Sequence, residues 1–152
     1  MLHHLSIGVR EPERVARVMA EVMGGSYRPF PPNKGSFFAF QQDEHGTMIE
    51  IHRAGTLLEP EGSGFGLETP REPGYGPTHF ALSVQMSQAD ITNIATREGW
   101  LCRRNDRAQF PVIEFWIENR LMCELLPPEF AREYLRIATR GPKPPTIDEP
   151  SN

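Results

Sequence analysis

The sequence predicts an α+β protein in which one βαβββ module is written twice along the chain. Each half contains a short strand of alternating side chains, then an amphipathic helix, then further strands. Each half also has a histidine at the start of its first strand and a glutamate within its last. Glu50 lies 46 positions after His4, and Glu124 lies 45 positions after His79. Two polar residue types that recur in matching registers indicate an internal repeat of about 75 residues.

The first half opens with an alternating strand at 4–9. A helix follows, because Pro12 suits a first helical position, acids surround it, and apolar residues then recur at helical spacing until the glycines at 24–25. Two strands, 36–41 and 47–52, flank a polar turn with a glycine and are typical of a hairpin. We predict the order strand, helix, three strands, of which the pattern in this half locates only the last two after the helix.

The second half repeats this plan. It opens with an alternating strand at 79–84, and Ser87 followed by Asp90 is typical of a helix start with a hydroxyl cap. Gly99 ends the helix. The remaining elements are three strands, around 100–103, at 111–118 and at 121–126, with a tight turn at Asn119-Arg120 between the last two.

The repeat divides the chain into five parts. These are a first module at 1–53, a linker or active-site loop at 54–78, a second module at 79–127, a C-terminal helix at 128–140 and a disordered tail at 141–152. The linker is rich in glycine and proline and is long for a connection within a compact domain. The tail consists of prolines and polar residues that bury little surface.

The composition is that of a globular protein. It is 38% hydrophobic and 24% charged, which excludes wholesale disorder. A formal net charge of -4 argues against non-specific nucleic-acid binding, which needs a basic face. No apolar run approaches the ~20 residues of a membrane span, and the N-terminus lacks the features of a signal peptide. Cys102 and Cys123 form no metal or redox spacing, so we interpret them as reduced, buried residues of a cytoplasmic protein.

Four residues form a candidate metal site: His4, Glu50, His79 and Glu124. Side chains alternate between the two faces of a strand, so each histidine shares its face with small residues only, which leaves room for a ligand. A carboxylate near a sheet interior is costly unless it meets a cation or a strong donor. Two imidazoles and two carboxylates suit one divalent ion of Zn, Ni, Co, Mn or Fe(II), with positions left for water or substrate.

Each of these residues also has a simpler interpretation. His4 can be a frayed terminal residue beside His3, whose side chain points to the opposite face. Glu50 can be a solvent-facing residue at a sheet edge. His52 shares the face of Glu50 but has no counterpart in the second half. The joint repetition of histidine and glutamate favours the metal site over these separate explanations.

The segments around these residues resemble the vicinal oxygen chelate superfamily, which includes glyoxalases, bleomycin-resistance proteins and dioxygenases. The resemblance covers roughly residues 2–127 and is carried by 4–9, 49–51, 79–84 and 123–125. It implies a curled mixed sheet, or half-barrel, around the metal site, with the helices on the outer face. It also implies that the metal chelates two oxygens of a small-molecule substrate and acts as a Lewis acid.

A set of two histidines and two glutamates is similar to the glyoxalase I and epimerase branches, where a metal-chelated enediolate or enolate forms as a proton moves. The resemblance therefore implies isomerase, epimerase or lyase chemistry on a small α-oxygenated carbonyl acid or thioester. We expect Glu50 and Glu124 to be the catalytic carboxylates. Glu124 is favoured as the proton acceptor, because the neighbouring segment 114–116 supplies an apolar wall.

Two alternatives stay open: an Fe(II) dioxygenase of the extradiol type, and a metal-free protein that sequesters a small toxic molecule. The extradiol branch generally uses two histidines and one glutamate, so the second glutamate favours proton transfer. Fosfomycin-modifying relatives are expected to be shorter than this chain. A homodimer is also expected, with the 130–137 face of the last helix as one candidate contact, because a half-barrel with an exposed rim usually finds a partner.

Overall fold

A computed structural model describes residues 3–57, 75–107 and 110–138 of the chain. Most of the predicted linker, the last two residues of the predicted C-terminal helix and the whole of the predicted tail lie outside the described residues. The division into five parts at these boundaries stays a prediction.

The described elements follow the predicted order in both halves, and a third helix comes after them. In chain order they are β1 (His4–Val9), α1 (Pro12–Met23), β2 (Ser26–Pro29), β3 (Phe37–Phe40), β4 (Met48–Arg53), β5 (Phe80–Ser83), α2 (Gln88–Glu98), β6 (Cys102–Arg107), β7 (Phe110–Ile117), β8 (Leu121–Leu126) and α3 (Pro128–Ala138).

The strands form two four-stranded mixed sheets with the same topology. The strand order is β1-β4-β3-β2 in the first sheet and β5-β8-β7-β6 in the second, and neither sheet is closed. In each sheet the first and last strands of the module lie side by side and run parallel, while the other pairs are antiparallel. The prediction of an α+β fold made of two βαβββ modules is confirmed.

The helix of the first module covers one face of its sheet. Ile7, Ile49 and Ile51 point toward α1 and are buried with its apolar residues, among them Val15 and Met19. Strand alternation then directs the side chains on either side of these isoleucines to the opposite face. That opposite face carries the predicted donors, so packing of the helix determines which face is open to a ligand.

Local signals explain where the helices begin and end. Gly24 terminates α1 in the left-handed conformation with φ 68°, and its N–H and that of the next residue reach the carbonyls of the last turn. Gly25 has no room for a side chain, because a Cβ there would lie 1.8 Å from the carbonyl oxygen of Phe40. At the start of α2, Ser87 accepts a hydrogen bond from the N–H of Asp90, as the sequence predicts.

Two strands differ from the sequence-based expectation. Hydrophobic periodicity does not locate β2, because all four of its residues are exposed and no apolar pattern marks them. The strand expected around 100–103 instead spans Cys102–Arg107. Most of its residues are charged, and two of its arginines, Arg103 and Arg107, pair with Glu114 on the neighbouring strand β7.

Ion pairs between the helices hold the two modules together. Glu98 at the end of α2 accepts hydrogen bonds from Arg14 and Arg17 of α1, at 3.0 and 3.1 Å. Arg97 forms the reverse pair with Glu21 at 2.6 Å. None of the helices in the described part of the chain has the length and apolar character that a membrane span needs.

Candidate metal centre

Each predicted His–Glu pair lies on one face of its own sheet. In the first sheet Ser6 of β1 is opposite Glu50 of β4, and His4 precedes Ser6 by two residues on the same face. In the second sheet His79, just before β5, stands in the same relation to Glu124 of β8. The structure therefore places the four side chains at equivalent positions of the two modules.

A cleft of about 570 Å³ over the second sheet contains His79 and Glu124. The Nδ1 atom of His79 lies 2.9 Å from the carbonyl oxygen of Pro77. Because a carbonyl only accepts hydrogen bonds, this contact puts the hydrogen on Nδ1 and leaves a lone pair on Nε2, as a metal-ligating imidazole requires. Side chains of Phe110 and Trp116 give the cleft an apolar wall.

Glu124 is buried and is already paired with an arginine. Its Oε1 atom lies 3.0 Å from Nε and 2.9 Å from Nη2 of Arg107. The same Nη2 atom lies 3.0 Å from Oε1 of Glu114 on the adjacent strand β7. Arg107 thus bridges two carboxylates that are cross-strand neighbours.

Glu114 is the most firmly held of these charged groups. It is 2% exposed and accepts hydrogen bonds of 2.7 Å from both Arg103 and Asn105. Burial acts to raise the pKa of Glu114, but hydrogen bonds from Asn105, Arg103 and Trp116 outweigh burial and hold the pKa below its ordinary value. Glu114 is therefore a carboxylate anchored by several donors beneath the cleft.

Glu50 has different neighbours in the first sheet. Its Oε2 atom accepts a hydrogen bond of 2.9 Å from the hydroxyl of Ser6 and lies 3.6 Å from Nε2 of His52. His52 is buried, and its Nδ1 atom lies 2.9 Å from the hydroxyl oxygen of Ser36. Burial lowers the pKa of His52, against the opposing influence of Glu50. In the second module, Leu126 stands at the position equivalent to His52, so this histidine is not repeated.

The two histidines near the N-terminus differ in their contacts. His4 is exposed at the start of β1. The Nδ1 atom of His3 lies 2.8 Å from the carbonyl oxygen of His45. This hydrogen bond explains the position of the His3 side chain without a metal ion.

The His–Glu pair of each module forms half of the predicted metal site, and the two half-sites are not joined within the described residues. Neither His4 nor Glu50 lines the cleft that contains His79 and Glu124. The described part of the chain holds no cluster of three or more histidine, cysteine, aspartate or glutamate side chains placed for one metal ion. Each half-site offers one imidazole and one carboxylate, which is the right donor chemistry for a divalent ion but only half the predicted number.

Arg107 and Glu114 are site residues that the sequence analysis missed. A signal for them exists, because Arg103, Asn105 and Arg107 alternate along one strand and therefore share a face. The pairing of that strand with Glu114 depends on the register between β6 and β7, which periodicity does not predict.

Sequence comparisons identify no relative: no protein-family model matches the chain, and no curated protein matches it significantly.

Comparison of the fold with solved structures does find similar proteins. FosX, a fosfomycin resistance protein from Listeria monocytogenes complexed with Mn(II) and sulfate, is 15% identical over 91% of this chain and 97% of that chain, with a TM-score of 0.58. A mutant of FosX with Mn(II) and 1S,2S-dihydroxypropylphosphonic acid gives 15% identity over 82% and 87%, with a TM-score of 0.53. Trypanothione-dependent glyoxalase I from Leishmania major gives 16% identity over 91% and 94%, with a TM-score of 0.53.

These similarities establish the fold.

Proposed function

The chain has the fold of the vicinal oxygen chelate superfamily, and from that fold we propose that it is a metal-dependent enzyme acting on a small oxygenated substrate. One observation carries the proposal: each module presents one histidine and one glutamate on the same sheet face in the same register. Two FosX structures of this fold hold Mn(II), and they support it.

We infer that His4, Glu50, His79 and Glu124 hold the ion where the pair of one module meets the pair of another. The strands β1 and β5 stand at the ends of their described sheets. An end strand presents backbone groups that can pair with another strand, so β1 of one copy and β5 of a second copy can lie side by side. A two-fold axis would then create two such sites, which makes a homodimer with one ion per chain the expected assembly.

The proposed reaction is a proton transfer of the isomerase, epimerase or lyase type. A divalent ion held by these residues would supply Lewis acidity to the substrate oxygens, which would make an adjacent C–H bond more acidic. One of the two glutamates then takes the proton. The sequence pattern favours Glu124 for this role.

The contacts described above support Glu50 as the proton acceptor instead. Oε1 of Glu124 already accepts a hydrogen bond from Nε of Arg107 and forms an ion pair with its Nη2, so this atom takes a proton only if the ion pair breaks. Glu50 is held on one oxygen by the neutral hydroxyl of Ser6. We therefore propose that Glu50 is both a ligand and the proton acceptor, and that Glu124 is a ligand only.

The cleft over the second sheet supports a small substrate with an apolar part and an anionic part. Phe110, Trp116 and Met122 offer apolar surface, while Arg107 and Arg120 offer positive charge. A small α-oxygenated carbonyl acid or thioester fits this combination. Two oxygens would face the ion, and the remaining groups would contact the wall of the cleft.

A second candidate function is the inactivation of fosfomycin or a similar small phosphonate. It is favoured by the likeness to FosX structures, one of which holds a dihydroxypropylphosphonic acid, and by the two arginines of the cleft. Loss of fosfomycin in the presence of the protein and Mn(II), followed by phosphorus NMR, tests it directly.

Elemental analysis of protein purified without chelator tests the metal proposal. We expect close to one divalent ion per chain, and a species of twice the chain mass in sedimentation. Four single alanine variants of the proposed ligands should each lower the metal content, and a matched control, His3→Ala, should not. A protein that holds no metal and takes up none on addition would contradict the proposal and favour a metal-free binding protein. Stoichiometric iron with oxygen consumption would favour the dioxygenase.

A further inference from the structure

We propose that Arg107 is a positioning residue, which holds Glu124 in an ion pair until Glu124 ligates the metal ion. Arg107 then binds an anionic group of the substrate. The inference rests on the proposed function, because it takes Glu124 as a ligand. It adds an order of binding, metal before substrate, and a substrate class, a small carboxylate, phosphonate or similar oxyanion.

The first step of the argument is the sharing of one guanidinium by two carboxylates. Nε and Nη2 of Arg107 lie 3.0 and 2.9 Å from Oε1 of Glu124, and Nη2 lies 3.0 Å from Oε1 of Glu114. Guanidinium hydrogen bonds and metal ligation both use the oxygen lone pairs of Glu124. A cation that takes this oxygen must therefore compete with Arg107.

The second step is that one carboxylate is fixed and the arginine is movable. The side chain of Glu114 is 3% exposed and is bonded by Arg103 and Asn105 as well. The side chain of Arg107 is 37% exposed and lines the cleft. When Glu124 turns to a cation, Arg107 keeps its bond to Glu114, and its released N–H groups face the cleft.

The third step is the charge of the cleft once the ion is present. Arg103, Arg107 and Arg120 are balanced in part by Glu114 and Glu124. A divalent ion adds two positive charges to this set, so the loaded cleft attracts an anion much more strongly than the metal-free cleft. A guanidinium with two free donors suits the paired oxygens of a carboxylate or phosphonate.

Calorimetric titration with Mn(II) tests the competition. Removal of the competing guanidinium in Arg107→Met should tighten Mn(II) binding by about threefold to tenfold. The matched control is Arg103→Met, which removes the same charge from Glu114 without a contact to Glu124, and it should bind Mn(II) within about twofold of wild type. Equal affinity in wild type and Arg107→Met would overturn the proposal, as would equal tightening in both variants, which net charge alone explains.

Titration with sulfate tests the anion step without a known substrate. Mn(II)-loaded wild type should bind sulfate at least tenfold more tightly than the metal-free protein does, by the charge argument above. Mn(II)-loaded Arg107→Met should lose most of that gain in sulfate affinity. Arg107→Lys keeps the positive charge but not the paired donors of the guanidinium, so it should keep part of the gain. If loaded Arg107→Met binds sulfate as tightly as wild type, the anion contacts the ion or Arg120 alone and the proposal fails.

The metal titration also separates this inference from the proposed function. If wild type binds neither Mn(II) nor Zn, Ni, Co or Fe(II), both fail together, because Glu124 is then no ligand. If wild type binds Mn(II) but the arginine variants change neither metal nor sulfate affinity, only the role of Arg107 is overturned.

Discussion

The hydroxyl of Ser6 donates a hydrogen bond of 2.9 Å to Oε2 of Glu50 across the parallel pair of strands β1 and β4. The equivalent neighbour of Glu124 in the second module is Ala81, which has no hydroxyl. The two modules therefore repeat the histidine and the glutamate, but not the side chains that hold the glutamate in place. A serine hydroxyl holds Glu50, and an arginine holds Glu124.

Ser6→Ala should weaken metal binding, because it frees Oε2 of Glu50 and allows the carboxylate to rotate. Loss of a group that orients a ligand costs about tenfold in metal affinity. Mn(II) titration measures the change. Ala81→Ser is the matched variant, since it adds a hydroxyl beside Glu124, where Arg107 already holds the carboxylate, and it should leave the affinity nearly unchanged. An unchanged affinity in Ser6→Ala would show that the hydroxyl does not position Glu50.

Conversion of each glutamate to glutamine should separate the roles of the two residues. Glu50→Gln should keep Mn(II), because an amide oxygen still ligates, but lose at least about a hundredfold in turnover, as expected for loss of a general base. Glu124→Gln should mainly lower metal affinity.

The readouts for the glutamine variants are Mn(II) affinity and solvent deuterium exchange at the α-carbon of a substrate, once a substrate is found. Exchange that survives in Glu50→Gln and vanishes in Glu124→Gln would reverse the assignment and restore the choice that the sequence pattern favours.

The cluster at the junction of α1 and α2 should make stability depend on pH. Burial acts to raise the pKa of Glu98, but hydrogen bonds from Arg97, Arg14 and Arg17 outweigh it and keep the pKa below its ordinary value. Because the folded pKa is the lower one, the ionised carboxylate stabilises the fold above the unfolded pKa of about 4.3. This contribution is lost as the pH falls through the folded pKa.

Glu98→Gln should therefore lower the free energy of unfolding at neutral pH by about 1–3 kcal/mol. The difference from wild type should shrink once the pH falls below about 4. Urea unfolding at a series of pH values measures both effects. Glu44→Gln, at a site where the side chain is 87% exposed, should change stability by less than about 0.5 kcal/mol at any pH. A constant difference between Glu98→Gln and wild type across the acid range would contradict this account.

The two adjacent glycines after α1 should differ in their tolerance of alanine. At Gly25 a Cβ would lie 1.8 Å from the carbonyl oxygen of Phe40, so the backbone must move and the cost is about 3 kcal/mol. At Gly24 space is open and only the positive φ of 68° opposes a side chain, which costs about 1 kcal/mol. Thermal unfolding of both variants measures the order, and a larger loss in Gly24→Ala would show that the close contact relaxes easily.

Much of the fold could be predicted because its signals are local and periodic. Alternation along 4–9 and 79–84 predicts β1 and the strand that becomes β5, and the Ser87 and Asp90 pair predicts the start of α2. The strand β2 could not be predicted in this way, because its residues are all exposed and its place is set by pairing with β3. The charged end of β6 was missed for a similar reason.

The sequence by itself determined the repeated module and the types of donor at its equivalent positions, because periodic side chains and matching intervals are properties of the chain. Only the tertiary structure decided what each donor touches. Ser6 and Glu50 are 44 positions apart and meet across the paired strands β1 and β4. Arg107 and Glu124 are 17 positions apart and meet across β7, which lies between β6 and β8. That register is set by packing of the helices and sheets as a whole, so identical donors in the two modules acquire different partners.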